Sequence, residues 1–194
     1  MDRVGADFLG TVKMIVDRLG ANPVPIQLPM GAEASFRGII DLIESKAWFF
    51  PDDRDQDPIE EPIPGEYKEA AASHREKLIE KVAEADEALM NAYVEGKAIA
   101  VPELKAALRR ATLSTKLVPV LCGSALRDKG IQPVIDAVVD YLPSPLDMPP
   151  VKGIDPRTGK EVFRNARDNE HFSALAFKIV SDPYVGRLVY LRVY

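Results

Sequence analysis

Two places in this chain carry residues that could do chemistry together. The stretch Leu117–Leu142, LVPVLCGSALRDKGIQPVIDAVVDYL, passes from an apolar segment through a small-residue turn, Cys122-Gly123-Ser124-Ala125, into a helical pattern. In an open α/β sheet such a turn lies at the carboxyl ends of the strands, where ligands bind. Small side chains there let backbone N–H groups come close to a ligand, and such donors suit a carbonyl like O6 of guanine. Gly-Ser turns are common, and a ligand-free strand-to-helix turn accounts for the same residues. The second place is Asp2, just ahead of a helical pattern. An acid there serves as a helix N-cap or as a reader of a base. A carboxylate accepts two hydrogen bonds from guanine, from N1–H and from the exocyclic amine. Adenine offers neither and leaves the charge unpaired, which costs more than a lost neutral contact.

A third group is acidic. Glu80, Glu84 and Glu87 recur at i, i+4 and i+7 and share one face of a helical pattern, away from Leu78, Ile79, Val82 and Leu89. A solvated helix face explains them without a ligand. The remaining constellations are weak. His74 and His171 are far apart in the chain, Cys122 has no adjacent base, and Asp52-Asp53 and Glu60-Glu61 are adjacent acids in a proline-rich stretch. No phosphate loop of the form G-x-x-x-x-G-K-S/T is present: Gly96-Lys97-Ala98 and Gly159-Lys160-Glu161 do not fit it.

The elements that must position these residues follow from periodicity. Residues 5–19 place Phe8, Leu9, Val12, Ile15, Val16 and Leu19 on one helix face, stopped by Gly20. Residues 24–28 read as a short strand, and Ser35–Leu42 with Lys46–Phe50 as a strand pair. Trp48, Phe49 and Phe50 supply apolar surface for the helices that follow. Pro51–Pro64 holds six acids, one base and four prolines, which reads as an exposed loop. Residues 66–94 read as the longest helix, with Asp86 inside its apolar face for no reason the pattern supplies, and Gly96 ends it. Pro102 opens another helix through Leu104, Ala107, Leu108 and Ala111. Leu117–Leu121 reads as a buried strand. Residues 131–141 read as a helix with Ile131, Val134, Ile135, Val138 and Val139 inward. Prolines at 143, 145, 149 and 150 mark a boundary. Beyond it, Phe172–Val180 and Gly186–Tyr194 alternate as two strands, too few to be stable alone.

Composition bounds the function classes. The chain has 194 residues, 46% of them apolar, and a net charge of −5. That charge argues against a free-standing DNA or RNA binder. A single cysteine fits a reducing, cytoplasmic setting. No apolar run reaches the roughly 20 residues of a membrane helix, and no signal-peptide pattern is present.

Several separated motifs, in one order along the whole chain, resemble bacterial elongation factor G, a translational GTPase. Met1-Asp2-Arg3-Val4-Gly5-Ala6-Asp7-Phe8 resembles the end of the Asn-Lys-Met-Asp guanine motif and the helix after it. Gly20-Ala21-Asn22-Pro23-Val24-Pro25-Ile26-Gln27-Leu28-Pro29, Cys122-Gly123-Ser124-Ala125 and Asp140-Tyr141-Leu142-Pro143-Ser144-Pro145 resemble the same family. So does Phe172-Ser173-Ala174-Leu175-Ala176-Phe177-Lys178, which is similar to the opening of its second domain.

The resemblance implies an α/β fold: the C-terminal part of a P-loop GTPase-type domain in residues 1–19 and 116–144, and an inserted α+β subdomain in 20–115. Residues 145–194 would be a linker and the first strands of a β-barrel second domain. It implies that Asp2 reads the guanine edge, that Ser124 and Ala125 offer backbone donors to O6, and that Leu126 closes the loop. The nucleotide would be GTP or GDP, with the magnesium ligands outside this segment. The family's Asn and Lys before the aspartate's methionine are absent here, as is the phosphate loop, so the segment alone is expected neither to hydrolyse GTP nor to bind it usefully. The partners implied are the ribosome and the C-terminal domain of the ribosomal stalk protein, met by Glu80, Glu84 and Glu87, with no DNA and no membrane. The parent would drive tRNA and mRNA movement in protein synthesis. A related ribosomal GTPase, of the release factor three or ribosomal-protection type, and a stand-alone acidic interaction module are the alternatives.

Overall fold

The computed structural model describes residues 1–51, 57–155 and 157–194. It divides into two compact units, Met1–Leu142 and Pro143–Tyr194. Together they make a mixed α/β protein with several sheets and, among the described residues, five α-helices.

The first unit opens with α1, Phe8–Leu19. Asp7 caps it, its Oδ1 accepting the Gly10 N–H at 2.9 Å, and Gly20 closes it in the left-handed region, donating to the Val16 carbonyl at 3.0 Å. The segment expected as one strand over 24–28 is two. β1 (Pro23–Pro25) pairs in parallel with β6 (Val118–Val120), while β2 (Gln27–Met30) leaves for a different sheet. Ile26 is the switch: its N–H donates to Val120 O and its carbonyl accepts from Leu42 N–H, both at 3.0 Å.

β2, β3 (Gly38–Asp41), β4 (Lys46–Phe49) and β5 (Ile59–Glu61) form an antiparallel sheet in chain order. β5 lies within the stretch expected to be an exposed loop. Its side chains are exposed, but its backbone adds an edge to β4; residues 52–56 lie outside the described residues. Gly38 permits the close β3–β4 approach, since a Cβ there would sit 2.2 Å from the Trp48 carbonyl oxygen. Phe50 is buried, and Trp48 and Phe49 pack partly against the core.

The long helix expected over 66–94 is broken. α2 (Lys68–Ala85) and α3 (Glu87–Val94) meet at Asp86, whose backbone is extended. Asp86 caps α3 by accepting the Leu89 N–H at 3.1 Å. It also takes both the Nε (2.7 Å) and a terminal nitrogen (3.0 Å) of Arg110. That is the reason an acid sits within an apolar stripe. α4 (Val101–Leu113) carries Arg110 and has proline in its first turn. After β6 comes α5, Ile131–Tyr141.

One apolar cluster holds this unit, drawn chiefly from β1–β3, α2, α4 and Leu117, with Ile39, Ile40, Val82, Leu104, Ala107 and Leu108 fully buried; of the strand expected to be buried over 117–121, Leu117 is buried, while Val118 in β6 is exposed. α1 and α5 contribute less than their sequence pattern predicts. Phe8 is the buried residue of α1, and Leu9, Val16 and Leu19 are exposed. In α5, Val134, Ile135, Val138 and Val139 face out, and Tyr141 is the buried residue. The patterning is amphipathic, but no described element of this chain covers those faces.

The second unit is two antiparallel hairpins. β7 (Val151–Ile154) with β8 (Glu161–Arg164) was not legible in the sequence, and β9 (Ala174–Asp182) pairs with β10 (Gly186–Val193) through a bulge at Tyr190/Leu191. Among its described residues no apolar side chain is buried. No helix among the described residues is long and apolar enough to cross a membrane.

Candidate functional site

β6 runs into the turn that the sequence singled out, and the backbone fixes its shape. Ser124 and Lys129 exchange a pair of bonds: Ser124 N–H to Lys129 O at 2.8 Å and Lys129 N–H to Ser124 O at 3.0 Å. Between them Ala125–Arg127 makes one 3₁₀ turn, and Asp128 closes it at φ 58°. The fit is close enough to demand glycine: a Cβ on Gly123 would lie 2.7 Å from Lys129 O. Gly130, at φ +85°, begins α5 against the Cys122 carbonyl. From below, the Gln27 side chain accepts the Cys122 N–H at 3.3 Å.

The start of the chain docks on this turn across 122 residues of sequence. The Met1 nitrogen donates to the Gly123 carbonyl at 2.7 Å. Met1 O accepts the Glu33 N–H at 2.8 Å, and Glu33 Oε1 in turn accepts the Gly5 N–H at 2.7 Å. Asp2 is thereby held beside Ser124. The Ser124 hydroxyl next to it, then its own backbone N–H, and more weakly the Met1 ammonium and Arg127, hold the Asp2 carboxyl below the usual carboxylate range despite partial burial. Ser124 Oγ is itself buried and has no partner in hydrogen-bond geometry, so its influence on Asp2 is that of an adjacent dipole, not a formed bond. The N-cap role open to Asp2 on sequence belongs to Asp7.

The structure therefore brings Asp2 and Ser124 together, with Ala125 and Leu126 following in the 3₁₀ turn. One detail is corrected. The Ser124 N–H is engaged with Lys129 O and is not available as a donor to a ligand. Its hydroxyl is sealed within the turn, so Ser124 shapes the site beside Asp2 and presents no donor at its surface. The Ala125 N–H, in the first position of the turn, has no acceptor among the described residues. Leu126 is 79% exposed at the tip. Gln27 and Glu33 support the turn, and neither carries a local sequence signal, because both act through contacts made far along the chain.

The acidic trio is exposed, but not on one helix. Glu80 and Glu84 lie on α2, and Glu87 stands in the first turn of α3 beyond the break at Asp86. Elsewhere the structure removes candidates. Burial pushes the Cys122 thiol up to about 12, which leaves it inert as a nucleophile. Glu60 pairs with Lys46 at 2.8 Å. Among the described residues no group of three His, Cys, Asp or Glu is placed to hold a metal ion.

No protein-family model matches the chain. A solved crystal structure of a protein from Thermus thermophilus matches it with a TM-score of 0.74 over 97% of this chain, at 26% sequence identity. The chain spans 25% of the length of that protein.

Proposed function

We propose that this chain is a segment of a translational GTPase of the elongation factor G type, in which Asp2 and the Ser124–Leu126 turn are the base-reading half of a GTP/GDP site. The observation that carries the reading is the closure of Asp2 onto that turn across 122 residues, with the Met1–Gly123 bond as its clasp. A carboxylate there accepts from N1–H and the exocyclic amine of guanine, and the Ala125 N–H supplies a donor towards O6. Leu126 at the tip covers the base.

The uncovered apolar faces of α1 and α5 support the same reading, since exposed apolar faces of this kind mark surfaces that pack against other protein. In a longer chain they, with the parallel β1–β6 pair, lie against the rest of an α/β GTPase domain. β2–β5 and α2–α4 are then the insertion, and the hairpins of residues 145–194 open a β-barrel domain. Glu80, Glu84 and Glu87 are the proposed contact for the ribosomal stalk protein, and the whole protein moves tRNA and mRNA on the ribosome with GTP hydrolysis. Residues 1–194 contain no phosphate loop, so affinity for the triphosphate and the hydrolytic step belong to other residues.

Calorimetric titration tests this directly. The 194-residue chain titrated with GDP is expected to show no tight binding, while the full-length protein binds GDP and, on Asp2→Ala, binds it more weakly and no longer prefers it to other nucleoside diphosphates. Tight GDP binding by the 194-residue chain, or unchanged binding by the full-length Asp2→Ala variant, refutes it.

A further inference from the structure

A second cleft, of about 190 Å³, opens between the β3–β4 hairpin, α4 and α5. It is smaller than the roughly 300 Å³ at which sites for drug-sized ligands begin, so its occupant is the size of an amino acid. Its floor holds two polar groups without a protein partner. Gln27 and Tyr141 are only 3% and 4% exposed. The Gln27 Oε1 is fixed by the Cys122 N–H, which turns the amide nitrogen the other way. That nitrogen and the Tyr141 hydroxyl make no hydrogen bond among the described residues, yet neither is sealed from solvent; the Ser124 hydroxyl is the sealed, unpaired atom. Gln27 lines this cleft; Tyr141 lines it and an apolar hollow on its other side, and the carboxylates that act on its hydroxyl, Asp41, Glu44 and Asp140, are those of this cleft. In the free protein water serves them, and a ligand with matching polar groups takes its place.

The charges around them are unequal. Four carboxylates, Asp41, Glu44, Asp136 and Asp140, line the cleft against two lysines, Lys46 and Lys105. Both lysines are bound to Glu44, at 2.7 and 2.8 Å, and Lys105 also approaches Asp140 at 3.5 Å. Asp41 forms no ion pair among the described residues, although the charge of Lys105 reaches it. Its Oδ1 accepts the N–H groups of Ile43 and Glu44, both at 2.8 Å, and its Oδ2 accepts nothing from them. Asp41 is paired directly across the β2–β3 ladder with Gln27, which sets their side chains about 5 Å apart at Cβ. Burial pushes the Asp41 carboxyl up, and burial with the charges of Asp140, Asp41 and Glu44 keeps the Tyr141 hydroxyl protonated.

We propose that this cleft binds a small primary ammonium ion with a carbonyl one carbon away, the pattern of an α-amino amide. The ammonium donates to Asp41 Oδ2 and Tyr141 Oη, the carbonyl accepts from the Gln27 amide nitrogen, and an apolar side chain lies on Ile26, Leu121 and Ala137. The inference is independent of any nucleotide, so its failure leaves the GTPase reading untouched, and the reverse holds.

The probe is L-leucinamide, titrated into the ¹⁵N-labelled 194-residue chain, with N-acetyl-L-leucinamide, which lacks the ammonium, as control. Saturable millimolar binding is expected for leucinamide and none for the control, with shifts centred on the Gln27 side-chain amide. Tyr141→Phe removes only the hydroxyl and should weaken binding about tenfold. In Asp41→Asn the amide oxygen still serves Ile43 and Glu44, and binding should fall to the level of the control. Absence of saturable binding, equal binding of the acetylated control, or an unchanged affinity in Tyr141→Phe overturns the proposal. The ligand control and the Tyr141 variant decide it even where Asp41→Asn fails to fold.

Discussion

Asp86 decides whether residues 68–94 form one helix or two, and its contribution divides into parts that separate substitutions can measure. As the N-cap of α3 it accepts the Leu89 N–H, and its carboxylate receives a two-point contact from Arg110. Asp86→Ala removes both. The cap is worth about 1 kcal/mol. The Asp86 carboxylate is 9% exposed, but Arg110 is 55% exposed, so the pair is screened and worth about 0.5 kcal/mol. Asp86→Asn keeps an equally good cap and loses only the charge. Urea unfolding should then show roughly 1.5 kcal/mol lost for alanine and about 0.5 for asparagine. Arg110→Met should cost about 0.5 kcal/mol in the wild type and almost nothing in the Asp86→Asn background, because the two changes remove the same contact. The pH dependence has a fixed sign. Arg110 holds the Asp86 carboxyl below its ordinary 3.8. Its contribution is therefore complete above that ordinary value and is lost as pH falls through the depressed one, a loss that Asp86→Asn removes. Equal costs for alanine and asparagine, or additive costs for the Asp86 and Arg110 changes, would show that Asp86 is not what divides the helix.

Four further outcomes are expected. In the full-length protein Asp2→Asn should exchange guanine for xanthine preference, since an amide nitrogen donates to the carbonyl xanthine carries in place of the guanine amine; competition of GDP against xanthosine diphosphate measures it. Gly123→Ala drives a Cβ towards Lys129 O and should cost about 1–3 kcal/mol by thermal unfolding, because the paired backbone of Ser124 and Lys129 must open. Cys122, with its thiol pushed to about 12, should resist iodoacetamide in the native chain at pH 8 and react quickly in urea, as followed by mass spectrometry; rapid native labelling contradicts its burial. Reversing Glu80, Glu84 and Glu87 to Lys in the full-length protein should abolish stimulation by the ribosomal stalk, and unchanged stimulation removes that assignment.

What could be read from the sequence is what local chemistry decides. Gly20 stops α1 and proline opens α4 because φ and the missing N–H act within one turn. The strand-turn-helix run from β6 to α5 was legible for the same reason. The failures are long-range. Nothing near Asp86 announces a helix break, since the guanidinium that stabilises it lies 24 residues on. Ile26 splits the five-residue stretch 24–28 because its two backbone groups bond to two sheets. The inward positions expected for α5 were a statement about amphipathicity, and periodicity marks a face without saying what covers it. Of the candidate site, the residue types were readable. The loss of the Ser124 N–H to Lys129 was not, because antiparallel pairing inside a six-residue turn leaves no mark in composition.

That loss changes what the proposed site can do. With the Ser124 N–H engaged, the turn keeps its form without any ligand, held by the Ser124–Lys129 pair, two glycines and the Gln27 contact on Cys122. The Asp2 carboxylate is docked by backbone bonds at Met1, so it too is placed before a base arrives. Preorganised groups bind without an ordering cost, but a single base offers them few contacts. What such a half-site supplies well is discrimination, because a base lacking the right donors leaves Asp2 unpaired. Affinity on the scale of a bound nucleotide requires donors for the phosphates, and residues 1–194 contain no phosphate loop. In the proposed reading, therefore, substitutions at Asp2 alter which nucleotide is chosen more than how tightly nucleotides in general are held.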